Sequence, residues 1–440
     1  MGKTGTARRL RSAVVLALAV ALGCFALATC GGDTRLTLRL STWSSPTEME
    51  IMERCIRLFE QRYPNVRVIH ESYPSRYLDR ILTSIAAGTP PDVILLDSVH
   101  IPTFIESGAL IDLAPYAERV GFDRSLYYPV VLATAERDGK LYAFPKDFTP
   151  LVYFYNRRLF DVTGTPYPEP DWTWDDFLRT CQQLTSDDDG DGRPDRFGTD
   201  LNRELFRWQP WLWSAGGDIL SPDGTRAVGY FDSEESVRTY EFLADLVRRW
   251  CVTPRYEANI TMSRDYNQAQ RMFYSGRLGL MASGHWWIPR LRHYMEEELL
   301  SVGIAPMPRF DPGSRPVTVM YESGWAVPAA SRHRKWAVIL AAFMSGEECQ
   351  WIRCEAGLAI PAMPGVAAEL AAADTTGMES IFLDQIPHCR APWGTRIAHF
   401  TEVEDIVSEV FDRMLINGEP AAEAASAVAK EIEDALRSPE

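Results

Sequence analysis

Residues 36–70 read LTLRLSTWSSPTEMEIMERCIRLFEQRYPNVRVIH, and the fold follows from how that stretch divides. Leu36, Leu38 and Leu40 alternate with Thr37 and Arg39, the period of a strand with one face on a core. Ser45-Pro46-Thr47-Glu48 is a capping-box pattern with proline at the first helical position. Met49, Met52, Ile56 and Phe59 recur at helical spacing until Pro64 stops the helix, and Val66 to His70 is a second strand. Tyr77 to Ala87 then reads as a helix broken by Gly88-Thr-Pro-Pro91. Val93-Ile-Leu-Leu96 is a short, wholly apolar run, as a strand buried on both faces requires. Strand, helix, strand, helix, strand predicts an α/β domain built on a parallel sheet.

The alternation continues outward. Val152 to Tyr155 reads as a strand, and Thr173 and Asp232 as helix N-caps, the latter with Glu235 three residues on. Val237, Tyr240, Leu243, Val247 and Trp250 mark one face of a long helix, and Ala421 to Leu436 is an Ala/Glu-rich terminal helix. There is no internal repeat and no low-complexity linker. About 410 residues follow Cys30, more than one core usually serves, so two domains are expected, interwoven rather than tethered.

Before this comes a leader. Lys3, Arg8, Arg9 and Arg11 precede an apolar run from Ala13 to Ala28, too short to span a bilayer comfortably. That is a secretory signal over residues 1–30. Leu27-Ala-Thr-Cys30 resembles a bacterial lipobox, with Thr29 where a smaller residue is usual, and this predicts a lipid on Cys30. Ala21-Leu-Gly-Cys24 is a second candidate. The expected location is extracytoplasmic, lipid-anchored to a bacterial membrane.

The chain carries a net charge of −15, and about −19 without the leader, so no basic stripe exists for nucleic acid. Six cysteines follow Cys30, none in a Cys-x-x-Cys pair, and histidines are scattered, which argues against zinc. Disulfides and buried thiols both remain open.

Ligands of open α/β sheets sit at the carboxyl ends of strands, which selects Trp43 and Asp97. Asp97 can accept from ligand hydroxyls, or only cap the next helix. Tryptophan is abundant, and flat rings with polar edges stack on pyranose C–H faces. Trp286 and Trp325, each near glycine, are the platform candidates; Trp208, Trp211 and Trp213 read first as core. Asp187, Asp189 and Asp191, Gly192, the Arg193 carbonyl and Asp195 match the first part of an EF-hand loop, with Gly198 where the bidentate glutamate belongs. This is a weak structural calcium site or a solvated acidic loop. No nucleophile elbow, zinc-protease motif or phosphate loop is present.

Together these features resemble the extracellular solute-binding proteins of carbohydrate ABC importers, the maltose-binding-protein-like family. The resemblance runs over residues 35–436. Its landmarks are Thr42-Trp43, Gly88-Thr-Pro-Pro-Asp-Val93, Tyr142-Ala-Phe-Pro145 leading to Val152-Tyr-Phe-Tyr-Asn156, and Trp172-Thr-Trp-Asp-Asp-Phe177. Further along are the Asp189–Asp195 loop, Phe273-Tyr-Ser-Gly-Arg-Leu-Gly-Leu-Met281 before Gly284-His-Trp286, Gly324-Trp-Ala-Val-Pro328, and Asn417-Gly-Glu-Pro420. The resemblance implies a two-lobed periplasmic-binding-protein fold of type II. The expected lobes are 31–146 with 305–345, and 147–304 with 346–440, crossing near 145–150, 300–305 and 343–350. It also implies a ligand site of Trp43, Glu48, Asp97, Asp147 and Trp286, with Trp325 and Arg390 as further transfers. A monomer would close on a sugar or oligosaccharide without chemistry and dock on the membrane subunits of an ABC permease. A secreted glycan hydrolase and an orphan sensing or adhesion lipoprotein are the alternatives.

Overall fold

The expected leader, with Cys24 and Cys30, lies outside the residues described by the computed structural model, which are 35–256, 266–398 and 400–437. β1 (Leu36–Thr42) buries Leu38 and Leu40. α1 (Pro46–Arg62) starts on the expected box: Ser45 Oγ accepts from the Glu48 N–H, and Glu48 Oε2 accepts from the Ser45 N–H at 2.6 Å. Its inner face is Ile51, Met52, Cys55, Ile56 and Phe59. Each large apolar side chain so buried contributes roughly 1.5–3 kcal/mol. β2 (Val66–Ser72), α2 (Tyr77–Ala86) and β3 (Val93–Asp97), apolar up to its final Asp97, complete the unit, with β1 parallel to both β2 and β3. Parallel neighbours need crossover helices, which α1 and α2 supply.

Later strands are β4 (Ala143–Pro150), β5 (Val152–Asn156), β6 (Leu280–Ser283), β7 (Val302–Ala305), β8 (Thr318–Ala326), β9 (Ile360–Pro361) and β10 (Cys389–Arg390). The larger sheet runs β9-β4-β8-β3-β1-β2, with β10 beside the start of β8; the smaller runs β6-β5-β7. Leu151 alone separates β4 from β5, so the chain leaves one sheet and enters the other within a residue. β8 returns between β3 and β4, antiparallel to both. The small sheet is covered on both faces: Val152 and Phe154 join one core cluster, Tyr153 and Tyr155 the other. This is the two-lobed α/β architecture the sequence predicts.

Two details differ from expectation. The chain after Ser345, expected with the second lobe, stays on the first sheet as far as Pro361. Helix Glu347–Glu355 packs on α1, and β9 pairs with β4. The cause is that helix's buried face of Cys349, Gln350, Arg353 and Cys354. Ser233, not Asp232, caps the helix Glu234–Arg248, accepting from the Ser236 N–H. Trp208, Trp211 and Trp213 are core, as read. Cys55, Cys181, Cys349 and Cys354 are buried and unbridged. Among the described residues no helix is long and apolar enough to cross a membrane.

Candidate functional site

A cavity of about 750 Å³ lies where the two sheets meet. The first sheet's rim supplies Trp43, Glu48 and Asp97; the crossing strands β4 and β8 supply Lys146, Asp147, Tyr321 and Glu322; the far side supplies Trp286 and Tyr294. Register explains the floor. Ser323 lies opposite Asp97 on one side and Asp147 on the other, so three strands place their polar residues in one row. A bulge between Ser323 and Gly324 shifts the ladder there. Bulges re-aim side chains in this way.

The floor is acidic, and its acids are not equivalent. Asp147 is ion-paired with Lys146, accepts from Ser323 Oγ at 3.3 Å, and has Arg353 Nε 3.8 Å away. Arg353 is fully buried and donates to the carbonyls of Met344 and Lys146 at 2.7 and 2.9 Å. Asp97 Oδ1 accepts from the Val99 N–H at 3.3 Å, so it does cap the short turn Ser98–His100 while also lining the cavity. Burial pushes its carboxyl up to about 7. Glu322 is 2% exposed; Oε2 accepts from Thr134 Oγ1 at 2.8 Å and Oε1 has no partner. Burial, then the neighbouring Asp97 and Asp147, hold its carboxyl well above the usual range. Burial with Asp97 nearby also lifts Glu404, on helix Phe400–Val407, to about 7.

The stacking face is built on Gly284. A Cβ there would fall 2.2 Å from Trp286 Cζ3, so only glycine lets the ring lie across the backbone. His285 anchors the loop: its N–H donates to Thr149 Oγ1 at 2.8 Å, and its ring bonds the Gly357 carbonyl at 3.0 Å and Glu379 at 2.9 Å. Trp286 meets Tyr321 edge-on at 6.4 Å, and Phe206 at 6.1 Å. Trp43 packs edge-on against Tyr77.

Of the seven expected ligand residues, Trp43, Glu48, Asp97, Asp147 and Trp286 line this cavity, although the Glu48 carboxylate is occupied by the helix cap. Two are corrected. Trp325 is fully buried in the first core, opposite Leu95 and Phe144. Gly324 beside it is a strand residue at the bulge, not a turn; a Cβ there would sit 2.7 Å from the Ala143 methyl. Arg390 does not line the cavity. It donates to Asp218 Oδ2 at 2.7 Å and lies over Trp213, in a knot that also takes the indole N–H groups of Trp213 and Trp393. Sequence reasoning missed Lys146, Tyr321 and Glu322. The signal for Glu322 was a single acid inside an otherwise uncharged strand, TVMYESGWA.

In the acidic loop, carboxylate oxygens of Asp187, Asp189 and Asp195 lie within 4.8 Å of one another. Backbone N–H groups of Gly190 and Gly192 donate to Asp187, both glycines at positive φ, and that of Asp188 to Asp195. The structure leaves Asp191 out of this group: its Oδ1 accepts from the Arg193 N–H at 2.8 Å.

A family profile, bacterial extracellular solute-binding protein, matches residues 43–351. The galactooligosaccharide-binding protein of Bacillus subtilis is 23% identical over 370 residues, 81% of each chain. The arabinooligosaccharide-binding protein of Halalkalibacterium halodurans is 20% identical over 319 residues, 70% of this chain and 67% of its own. Among solved structures, an ABC substrate-binding protein of Listeria monocytogenes in complex with cycloalternan has a TM-score of 0.79 at 21% identity, covering 92% of this chain and 99% of that one. Maltose-bound MalE3 of T. maritima has 0.75 at 23%, covering 91% and 99%. The match over most of the chain and the shared two-lobed architecture lead to one conclusion: the protein belongs to the bacterial extracellular solute-binding protein family.

Proposed function

We propose that the protein binds a sugar or oligosaccharide in the cleft between its lobes and hands it, unaltered, to an ABC import permease. The observation that carries this is the composition of the cavity: a tryptophan face laid over Gly284 on one side, and strand-end carboxylates on the other. Flat apolar rings and acceptors for hydroxyls are what a neutral pyranose needs. The sugar would stack on Trp286 and hydrogen-bond Asp97 and Asp147. Because it touches both sides, it favours the closed arrangement, with the crossing at Leu151 and β8 as hinge. Oligosaccharide-binding relatives support the reading.

Two further roles belong to it. Asp187, Asp189 and Asp195 offer the hard oxygen donors calcium takes, and the surrounding N–H bonds pre-shape the loop, so a structural calcium fits there. A lipid on Cys30 would hold the protein at the membrane beside its permease.

The test is a thermal-shift panel on residues 31–440, unfolded and refolded to strip carried ligand, against neutral and aminated saccharides. A ligand at 100 times its Kd adds ~2.7 kcal/mol, a shift of a few degrees in a chain this long. A shift from one saccharide class supports the reading; silence from folded protein refutes it.

A further inference from the structure

The charges of the cleft do not balance where the ligand would lie. Asp147 is answered by Lys146 and Arg353. Glu48 is held by the helix cap. Among the described residues neither Asp97 nor Glu322 forms an ion pair; Lys146 acts on Glu322 only as a nearby charge, and Glu322 Oε1 is a buried acceptor with no hydrogen bond. Of the arginines nearby, Arg290, exposed at the rim, donates to Gln270, and Arg207 to Glu204 and the Ala282 carbonyl. An unanswered buried acceptor and a second carboxylate lining the same cavity are costly for a protein to keep unless a ligand completes them.

We propose that the solute taken by this cleft carries a protonated amine, seated between Asp97 and Glu322 and faced by the Trp286 and Tyr321 rings. The inference rests on the saccharide reading and narrows it to amino sugars or aminated oligosaccharides. An ammonium supplies what the floor lacks. It donates N–H bonds to Glu322 Oε1 and Asp97, and charge-assisted bonds are about twice as strong as neutral ones. Its charge is also attracted by aromatic faces. A primary ammonium fits better than a quaternary one, which has no N–H for the unpartnered oxygen. Burial raises both carboxyls, with Asp97 adding to the rise at Glu322, and a cation between them would favour the ionised form of each.

The test is titration calorimetry at neutral pH with matched trios differing only at the second carbon: glucosamine, N-acetylglucosamine and glucose, then the galacto and manno trios, and the β-1,4 dimers of the first. Choline is the quaternary control. The ammonium member of one trio is expected to bind at least about tenfold tighter than its hydroxyl parent, the gain of one charge-assisted bond over a neutral one. That preference should collapse in Glu322→Gln and in Asp97→Asn; if one variant fails to fold by circular dichroism, the other carries the test. Equal or tighter binding of a hydroxyl or acetamido member overturns the inference and leaves the saccharide reading standing. So does a preference that survives both substitutions. Binding of choline alone, or of nothing on the panel by folded protein, overturns both.

Discussion

Replacing Asp97 by Asn should make the empty protein more stable while making it a poorer binder. Asp97 ends β3 half-buried in the cleft, and its charge adds to the rise of the carboxyls of Glu322 on β8 and Glu404 on the Phe400–Val407 helix. Its carboxyl is raised from 3.8 to about 7. A carboxyl raised in the folded state binds more protons folded than unfolded, so its ionisation costs stability as pH rises between those values, and that cost is complete above about 7. At ~1.36 kcal/mol per pH unit the gap has an upper bound of about 4 kcal/mol. Asp97 is not sealed from water, and screening by cleft solvent reduces this to ~1–2 kcal/mol. Asn keeps the shape and an acceptor for the Val99 N–H, and it cannot ionise. Urea unfolding of both proteins across pH ~4 to ~8 therefore has a definite expected form. The curves converge at the acid end, Asp97→Asn gains steadily through the window, and it plateaus ~1–2 kcal/mol ahead above pH ~7. The other titrating groups cancel in the difference to first order, except Glu322 and Glu404, whose relief adds in the same direction. Parallel profiles, or a less stable variant at high pH, would refute the claim that Asp97 is an uncompensated floor charge.

The other predictions concern the platform, the loop and the leader. Trp286→Ala removes the stacking face, worth ~1–3 kcal/mol of burial and stacking, so sugar affinity should fall ten- to hundredfold with the fold intact; unchanged affinity would remove Trp286 from the site. Gly284→Ala should cause a similar loss with the tryptophan still present, because the new methyl occupies the ring's place; near-UV circular dichroism should show the displaced indole, and an unchanged spectrum contradicts this. A chelator should lower the melting temperature by a few degrees, and Asp189→Asn should abolish that response; a melting curve indifferent to chelator would dismiss calcium. Mass spectrometry of the native N-terminus should find a lipid on Cys30, and a free amine or cleavage elsewhere excludes it.

Much of the fold was legible because it is written in short-range patterns. The period-two leucines of β1, the Ser45–Glu48 box and the apolar β3 are each local, and together they force a parallel α/β start. Asp97 and Trp43 were legible for a topological reason, since Asp97 ends β3 and Trp43 follows β1, both at carboxyl ends of strands. What failed depends on long-range pairing. Trp325 and Glu322 are three residues apart on β8. Which of them meets the cleft is decided by the register slip at Ser323/Gly324, set by partners at 94–97 and 143–150. Arg390 was misread because its partner, Asp218, is 172 residues away and carries no motif. Helix Glu347–Glu355 was misplaced for the same kind of reason: its packing on α1 is visible only once the sheets are assembled.

The central claim is that this cleft binds a saccharide and returns it unchanged. The most direct measurement is stoichiometric recovery: saturate purified protein with the best ligand of the thermal panel, remove the excess, denature, and identify the released sugar by chromatography and mass spectrometry. The account predicts about one intact molecule per chain, identical to what was added, as expected of a single closing cleft. Cleaved sugar would make the protein a hydrolase, and no retained sugar would leave the cavity without the role assigned to it.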